Sequence, residues 1–495
     1  MTRLNNDTLA RLSPEVALPA YDRREVTPGI VHFGVGGFHR AHQAMTLDAL
    51  MNRGEAMDWG IVGVGVMPGD RRMQQALAVQ DHLYTLVIKH PDGRLEPRVI
   101  GSLVDYRFAP DDPAAVIEQL ADPAIRIVSL TVTEGGYNVH PVSGEFDLAN
   151  PDIRHDLDHP AEPKTTFGLI VEGLARRRER GVTPFTVMSC DNIQGNGEVA
   201  KETFSAYARA RDPELADWIE ASVAFPNAMV DRITPVTAEA DIDELAARFG
   251  LEDAWPVVCE PFTQWVLEDH FGAGRPPFEG AGVQMVDDVE PYELMKLRLL
   301  NASHQALCYF GNLAGYRYAH EVCQDPLFVD FLLDYMRREA SPTLAPVPGV
   351  DLERYRLTLI ERFANPQVKD TLARLCAESS DRIPKWLVPV IREQLARGGE
   401  IHRSAAVVAS WARYAEGVDE QGAPIAVVDR LKDELMRIAA GNREHPAAFI
   451  ENCELFGDLA EDARFREAYL TALASLHQRG ARATLEALVT LRGEA

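Results

Sequence analysis

Apolar residues in the first half of the chain gather into short, nearly uninterrupted runs. Ile30-Val31-His32-Phe33 leads into a glycine-rich turn, and Trp59 to Val66 (WGIVGVGV) forms a second run that ends near Gly69-Asp70. The theme returns at Ile125 to Thr133, Pro184 to Ser189 and Pro256 to Cys259. Between these runs the apolar spacing turns helical, at Phe38 to Met51 and Phe167 to Arg180. Strands that are apolar at successive positions are covered on both faces, so their alternation with helices predicts a parallel sheet. Beyond about residue 290 the period changes. Leu294 to Leu313, Leu327 to Arg338, Leu352 to Phe363, Ile391 to Arg397, Ser404 to Tyr414 and Ala463 to Leu476 all read as helices. The pattern predicts an α/β fold: an N-terminal parallel-sheet domain over 1–286 and a mostly α-helical C-terminal domain over 287–495, joined near the Gly/Pro-rich Gly272 to Gly282.

The first run ends in Gly34 to His42, GVGGFHRAH. In a Rossmann-like unit the first glycine permits the tight turn and the second admits a pyrophosphate to the backbone. Gly34, Gly36 and Gly37 meet those needs, but the third-glycine slot holds His39. A nucleotide loop and an ordinary turn both fit this stretch. His39 and His42 are three apart and could share a helical face as a metal pair. No further His/Glu cluster has metal-ligand spacing, so polar packing is the simpler reading and no metal is expected. Asp70, at the end of the second run, is placed to bind ribose hydroxyls and repel a 2′-phosphate, although it lies 34 residues beyond Gly36 rather than the usual ~20. It is equally a helix cap, and Arg71-Arg72 could welcome that phosphate. Spacing therefore favours NAD over NADP only modestly.

Composition narrows the partners. The 495 residues carry 50 Lys plus Arg against 75 Asp plus Glu, a net charge of −25. Such a surface repels phosphate backbones and anionic membranes, which argues against nucleic-acid and membrane roles. The polar start, MTRLNNDTLARL, has no signal-peptide core, and no run reaches the ~18 apolar residues of a membrane span. Cys190, Cys259, Cys308, Cys323, Cys376 and Cys453 are scattered without a CxxC pair. That pattern predicts free thiols in a reducing cytoplasm and disfavours a zinc alcohol dehydrogenase.

The richest chemistry lies in Pro291 to Gly311, PYELMKLRLLNASHQALCYFG. On an α-helical wheel Lys296, His304 and Asn301 fall at about 0°, 80° and 140°. An amine, an imidazole and a carboxamide would then share an arc beside Leu300 and Leu307. A lysine so placed loses hydration, which favours the neutral amine of a general base. An ordinary solvated helix lysine is the competing reading. Tyr292 and Lys296 also form YxxxK, the catalytic pair of short-chain dehydrogenases. That family needs a serine about a dozen residues earlier and a chain about half this length; Phe278 to Val283 contains no serine. Ser189-Cys190-Asp191-Asn192 follows a strand end, where side chains face a ligand crevice. Asn192 there is either a hydrogen-bond donor to a substrate oxygen or part of an Asx turn.

Taken together these segments resemble the mannitol dehydrogenase family, the polyol-specific long-chain dehydrogenases. Val223 to Pro235 (VAFPNAMVDRITP) reads like the family signature, and GVGGFHRAH, TVTEGGY, SCDN and KLRLLNASH occur in the family's order across essentially the whole chain. The resemblance implies an NAD-dependent, zinc-independent oxidoreductase that interconverts D-mannitol and D-fructose, or a related enzyme acting on D-arabinitol, D-sorbitol or fructuronate. It implies Lys296 as general base, Asn192 and Asn301 around the reacting oxygen, His304 orienting substrate and Glu293 carrying the proton toward solvent. Asp231, Arg374 and Arg382 match substrate-pocket positions; Gly34, Gly36, Gly37, Phe38, Asp70 and Glu134 match the cofactor side. Members of this length are often monomeric, so a monomer is implied. Two departures stand out. Family members carry Lys where this chain has Arg382, which bears on substrate preference. They carry an acidic residue where it has Gly69, which weakens the bar against NADP. A nucleotide-binding regulatory protein without turnover is the rival from another class; it gives no reason for a lysine, two asparagines and a histidine around one crevice.

Overall fold

Four of the five continuous apolar runs fold as strands of one five-stranded sheet, in the computed structural model that describes residues 1–140 and 144–490. Its strands are β1 (Pro28–Phe33), β2 (Gly60–Gly65), β3 (Leu103–Phe108), β4 (Ile127–Leu130) and β5 (Thr186–Ser189). All neighbours are parallel and the order is β3-β2-β1-β4-β5, the order of a dinucleotide-binding sheet. Alternate side chains enter two cores. Val31, Phe33, Val62, Val64, Val128, Leu130 and Val187 lie in one; Ile30, Ile61, Ile127 and Met188 lie in the other. Both faces are covered, which is why these strands lack a polar alternation.

Three features depart from the sequence pattern. Val257–Cys259 is a strand, but it belongs to a separate sheet, parallel to Tyr84–Lys89, which pairs antiparallel with Leu95–Ile100. Edge strand β3 escapes the apolar pattern because Asp105 and Arg107 interrupt it. The helix expected over Phe38 to Met51 is broken into Gly37–Ala41 and Gln43–Met51 at His42, whose backbone leaves the helical region (φ −128, ψ −85).

By its internal contacts the chain divides into Met1–Glu290 and Pro291–Ala495. The second unit is helical. His402–Tyr414, buried along nearly its whole length, packs on Ala463–Thr490, and Ala302–Leu313 packs on His402–Tyr414. Within Leu294 to Leu313 the α-helix is interrupted. Glu290–Met295 and Ala302–Leu313 are α-helical, and Lys296–Asn301 between them is a π turn. Pro326–Asp334 likewise passes into a π turn, Tyr335–Ala340. Among the described residues no helix is long and apolar enough to cross a membrane.

Candidate active site

In the first unit the candidate residues collect at the carboxyl ends of the parallel strands: Gly34 after β1, Asp70 after β2, Glu134 after β4 and Asn192 after β5. This edge is where open α/β sheets receive ligands. Gly34 has φ +92, and a Cβ there would stand 2.1 Å from the Thr131 carbonyl oxygen. Only glycine lets the chain turn so close to β4. At Gly36 the situation is the opposite: an added Cβ would meet nothing nearer than the Gly34 oxygen at 3.8 Å. Gly36 therefore leaves room at the start of Gly37–Ala41, the space a bound group needs to approach backbone N–H donors.

The third-glycine slot is filled by an aromatic stack. The His39 ring lies on the His32 ring, centroids 3.4 Å apart and nearly coplanar in tilt at 9°. His32 is fixed from β1, its Nδ1 2.7 Å from Ser129 Oγ and its Nε2 2.9 Å from Thr131 Oγ1. Burial drives the His32 pKa down to about 3 and that of His39 well below its ordinary value, so both rings are neutral. His42 Nε2 donates to the Gln264 carbonyl at 2.9 Å, while the Gln43 amide donates to His42 Nδ1 at 2.8 Å. Phe38 stacks on His42 at 4.9 Å. Each of the three histidines is thus a packing or hydrogen-bonding part of the turn.

Asp70 Oδ2 accepts the N–H groups of Val66 and Met67, both at 2.9 Å, and so shapes the turn after β2. The arginines that follow are engaged within the protein. Arg71 pairs with Asp111 and lies over Phe108 at 4.0 Å, and Arg72 lies over Trp255 at 4.4 Å.

Glu134 and Asn192 are both exposed, and the residue between them in this arrangement is one that sequence reasoning passed over. Asp191 is 7% exposed, and its carboxylate accepts Thr133 N–H at 2.8 Å, Val132 N–H at 3.1 Å and the Tyr137 hydroxyl at 2.8 Å. It ties the loop carrying Glu134 to the loop carrying Asn192. The clamp holds Thr133 at φ 67 and ψ 169, a region that is essentially glycine's alone and is kept in a β-branched residue only where the surroundings force it. Burial raises the Asp191 pKa in spite of these donors. Its only sequence signal was its place beside Asn192.

Asp231 ends the buried strand Ala228–Asp231, which pairs antiparallel with Gln264–Glu268. The next signature residue, Arg232, is buried and structural. It donates to the Ala41 carbonyl at 2.7 Å and to the Glu260 carbonyl at 3.0 and 3.1 Å, anchoring the end of the helix that follows the glycine turn.

In the second unit Glu293, Lys296 and Asn301 are 6%, 8% and 4% exposed, so the solvated-lysine reading fails. The expected wheel fails too, because Lys296 and Asn301 are the first and last residues of the π turn. A π turn closes from i to i+5 and carries less rotation per residue. Positions five apart, splayed by about 140° on an α-helix, are brought back toward one face. His304 follows on the α-helix, packed 4.5 Å from the Phe363 ring. The YxxxK tyrosine has a packing role: Tyr292 donates its hydroxyl to the Pro348 carbonyl at 2.8 Å. Arg374 sits on the short helix Leu372–Cys376, exposed and paired with Asp370 at 2.5 and 2.6 Å. Arg382, on Ser379–Trp386, donates to the Leu375 carbonyl at 3.1 Å and so holds the end of the helix that bears Arg374.

Family models match nearly the whole chain: the mannitol dehydrogenase Rossmann domain over residues 28–280 and the mannitol dehydrogenase C-terminal domain over 288–477. The chain belongs to the mannitol dehydrogenase family. It is 48% identical over 494 residues to a mannitol 2-dehydrogenase of Aspergillus fumigatus, with 98% of each chain covered. Among solved structures it resembles the Pseudomonas fluorescens mannitol 2-dehydrogenase in ternary complex with NAD and D-mannitol, at 48% identity, TM-score 0.89 and 99% of both chains. It also resembles a D-sorbitol dehydrogenase in substrate-free form, at 40% identity and TM-score 0.91, covering 97% of this chain and 100% of that one.

Proposed function

We propose that this protein is an NAD-dependent polyol dehydrogenase that interconverts D-mannitol and D-fructose without a metal ion. The observation that carries the reading is the π turn. In a member of this family it places a buried lysine and a buried asparagine at its two ends, five residues apart. NAD, when bound, supplies the acceptor for the hydride leaving C2. The room at Gly36 fits a pyrophosphate, with Gly34, Gly37 and Phe38 completing the turn, Asp70 at the ribose and Glu134 on the cofactor side of the crevice.

The chain's own residues then handle the proton and the developing charge. The neutral amine of Lys296 takes the C2 hydroxyl proton. Asn192 and Asn301 donate N–H groups to the alkoxide-like oxygen, a service worth about 10²–10³ in rate per donor. His304 orients the polyol, and Glu293 passes the proton from Lys296 toward solvent. In the reductive direction Lys296 returns the proton to the ketose oxygen. Asp231, Arg374 and Arg382 bind the remaining hydroxyls; a uronate carboxylate would also find its partner among these arginines.

Initial rates with mannitol, arabinitol, sorbitol and fructuronate, each with NAD and NADP, test the assignment. The highest kcat/KM is expected for mannitol with NAD; a clear preference for another substrate moves the enzyme within its family, and no turnover with any favours a binding module. Exhaustive chelation is expected to leave the rate unchanged, and loss restored by added zinc would overturn the metal-independent route. Asp70 calls for a substitution that spares its turn. Asp70→Asn keeps an acceptor for Val66 and Met67 while removing the charge, and is expected to raise the NADP-to-NAD ratio of kcat/KM about tenfold or more, the worth of one charge interaction of ~1.4 kcal/mol. An unchanged ratio removes Asp70 from the ribose site.

A further inference from the structure

The π turn is an unusual backbone to keep in a buried helix, and the structure shows what keeps it. Ala302 N–H, which would serve the Arg298 carbonyl in an unbroken α-helix, is directed to the Leu297 carbonyl instead. The Arg298 carbonyl finds a different donor, the hydroxyl of Tyr335, at 3.0 Å. Tyr335 is fully buried and is the first residue of the second π turn, Tyr335–Ala340, which packs against the first. The Arg298 side chain holds the same residue from the other end. It is 7% exposed, and it donates to the Thr343 carbonyl at 2.7 Å and to Glu393 Oε1 at 2.6 Å. Arg298 is therefore gripped by backbone and side chain in the middle of Lys296–Asn301.

We infer that Tyr335, acting through the Arg298 carbonyl, is a positioning residue that keeps Lys296 and Asn301 in catalytic register. This rests on the reading of Lys296 as general base. A π turn holds one residue more than the α-turn it replaces. Were it to relax, the side chains on its two sides would rotate against each other by up to about 100°. Misplacement of a catalytic group by about 1 Å can cost ~10²-fold, whereas the nucleotide turn belongs to the other unit, Met1–Glu290.

The test is Tyr335→Phe in the full-length enzyme, which keeps the ring and removes only the hydroxyl. The expected result is a fall in kcat of about tenfold or more, with the KM for NAD unchanged and the midpoint of the kcat–pH profile displaced. Tyr309→Phe is the comparison. It removes buried hydrogen bonds to Gln305 and Ser379 in the same unit, and is expected to lower Tm without moving the pH profile. Wild-type kcat and an unmoved profile in Tyr335→Phe overturn the inference, as does an identical response in Tyr309→Phe. If Tyr335→Phe does not fold, Glu393→Gln loosens the brace from its exposed side. It should then lower kcat and displace the profile in the same sense to a smaller extent, and no change overturns the inference. Should Lys296→Ala remain active, the base assignment itself fails, an outcome separate from a silent Tyr335→Phe.

Discussion

Lys296→Ala is expected to lower kcat by about 10³-fold or more while NADH still binds with its wild-type affinity. General-base catalysis contributes about 10²–10⁴, so about 10³ corresponds to ~4 kcal/mol of lost transition-state stabilisation. The companion Lys296→Met keeps most of the apolar stem and should lose a similar rate. Stability separates this outcome from simple damage. Lys296 is 8% exposed, so a variant that melts cooperatively and binds NADH as wild type does shows that the lost rate comes from the missing amine and not from a damaged fold. Single-turnover hydride transfer, read as NADH absorbance, is the measurement, together with NADH fluorescence titration and a thermal melt. A rate within tenfold of wild type sinks the assignment. A matching loss in both rate and nucleotide affinity would point to a collapsed fold instead. The base also sets the sign of the pH dependence. Oxidation needs the neutral amine and should rise with pH through its titration, and ketose reduction needs the ammonium and should fall across the same range.

The contrast between the two units shows which physics a sequence displays. β1, β2, β4 and β5 were legible because burial on both faces leaves almost every position apolar. The same rule misassigned Val257–Cys259, since an apolar run says that a strand is buried and not which sheet it joins. It passed over β3, whose edge position tolerates Asp105 and Arg107. Local chemistry was less visible still. The wheel drawn over Pro291 to Gly311 assumed one period, and the π turn at Lys296–Asn301 breaks it without any residue that announces the break. Its support comes from Tyr335, 37 residues further along. His39 looked like a flaw in a glycine motif because its partner, His32, is on the preceding strand and the pair is made only on folding. Asp191 was read past for the same reason, since the donors it collects belong to Val132, Thr133 and Tyr137. Helical and strand periods report burial; they do not report which distant group completes a hydrogen bond.

The second large effect is expected at the glycine turn, where two neighbouring glycines should fail in different ways. Gly34→Ala is expected to destabilise the first unit by about 3 kcal/mol or more and to abolish nucleotide binding with it. A φ of +92 alone strains an L-residue by about 1–3 kcal/mol. The added Cβ would also stand 2.1 Å from the Thr131 carbonyl oxygen. That carbonyl cannot retreat easily. Thr131 N–H is bonded to the Phe33 carbonyl at 3.0 Å, and Thr131 Oγ1 to the Gly34 carbonyl at 2.7 Å. Relief of the clash would have to pull β1 and β4 apart in the middle of the parallel sheet. Gly36→Ala should behave differently, because its Cβ would enter open space and its φ of −105 suits any residue. A folded protein with wild-type Tm and a KM for NAD raised about tenfold or more is expected, as a methyl group then occupies the approach to the helix N-terminus. Thermal melts and NADH titrations on the two variants decide the matter. A stable Gly34→Ala contradicts the turn geometry. A Gly36→Ala that binds NADH as tightly as wild type removes the pyrophosphate from this turn, leaving GVGGFHRAH as a purely structural bend.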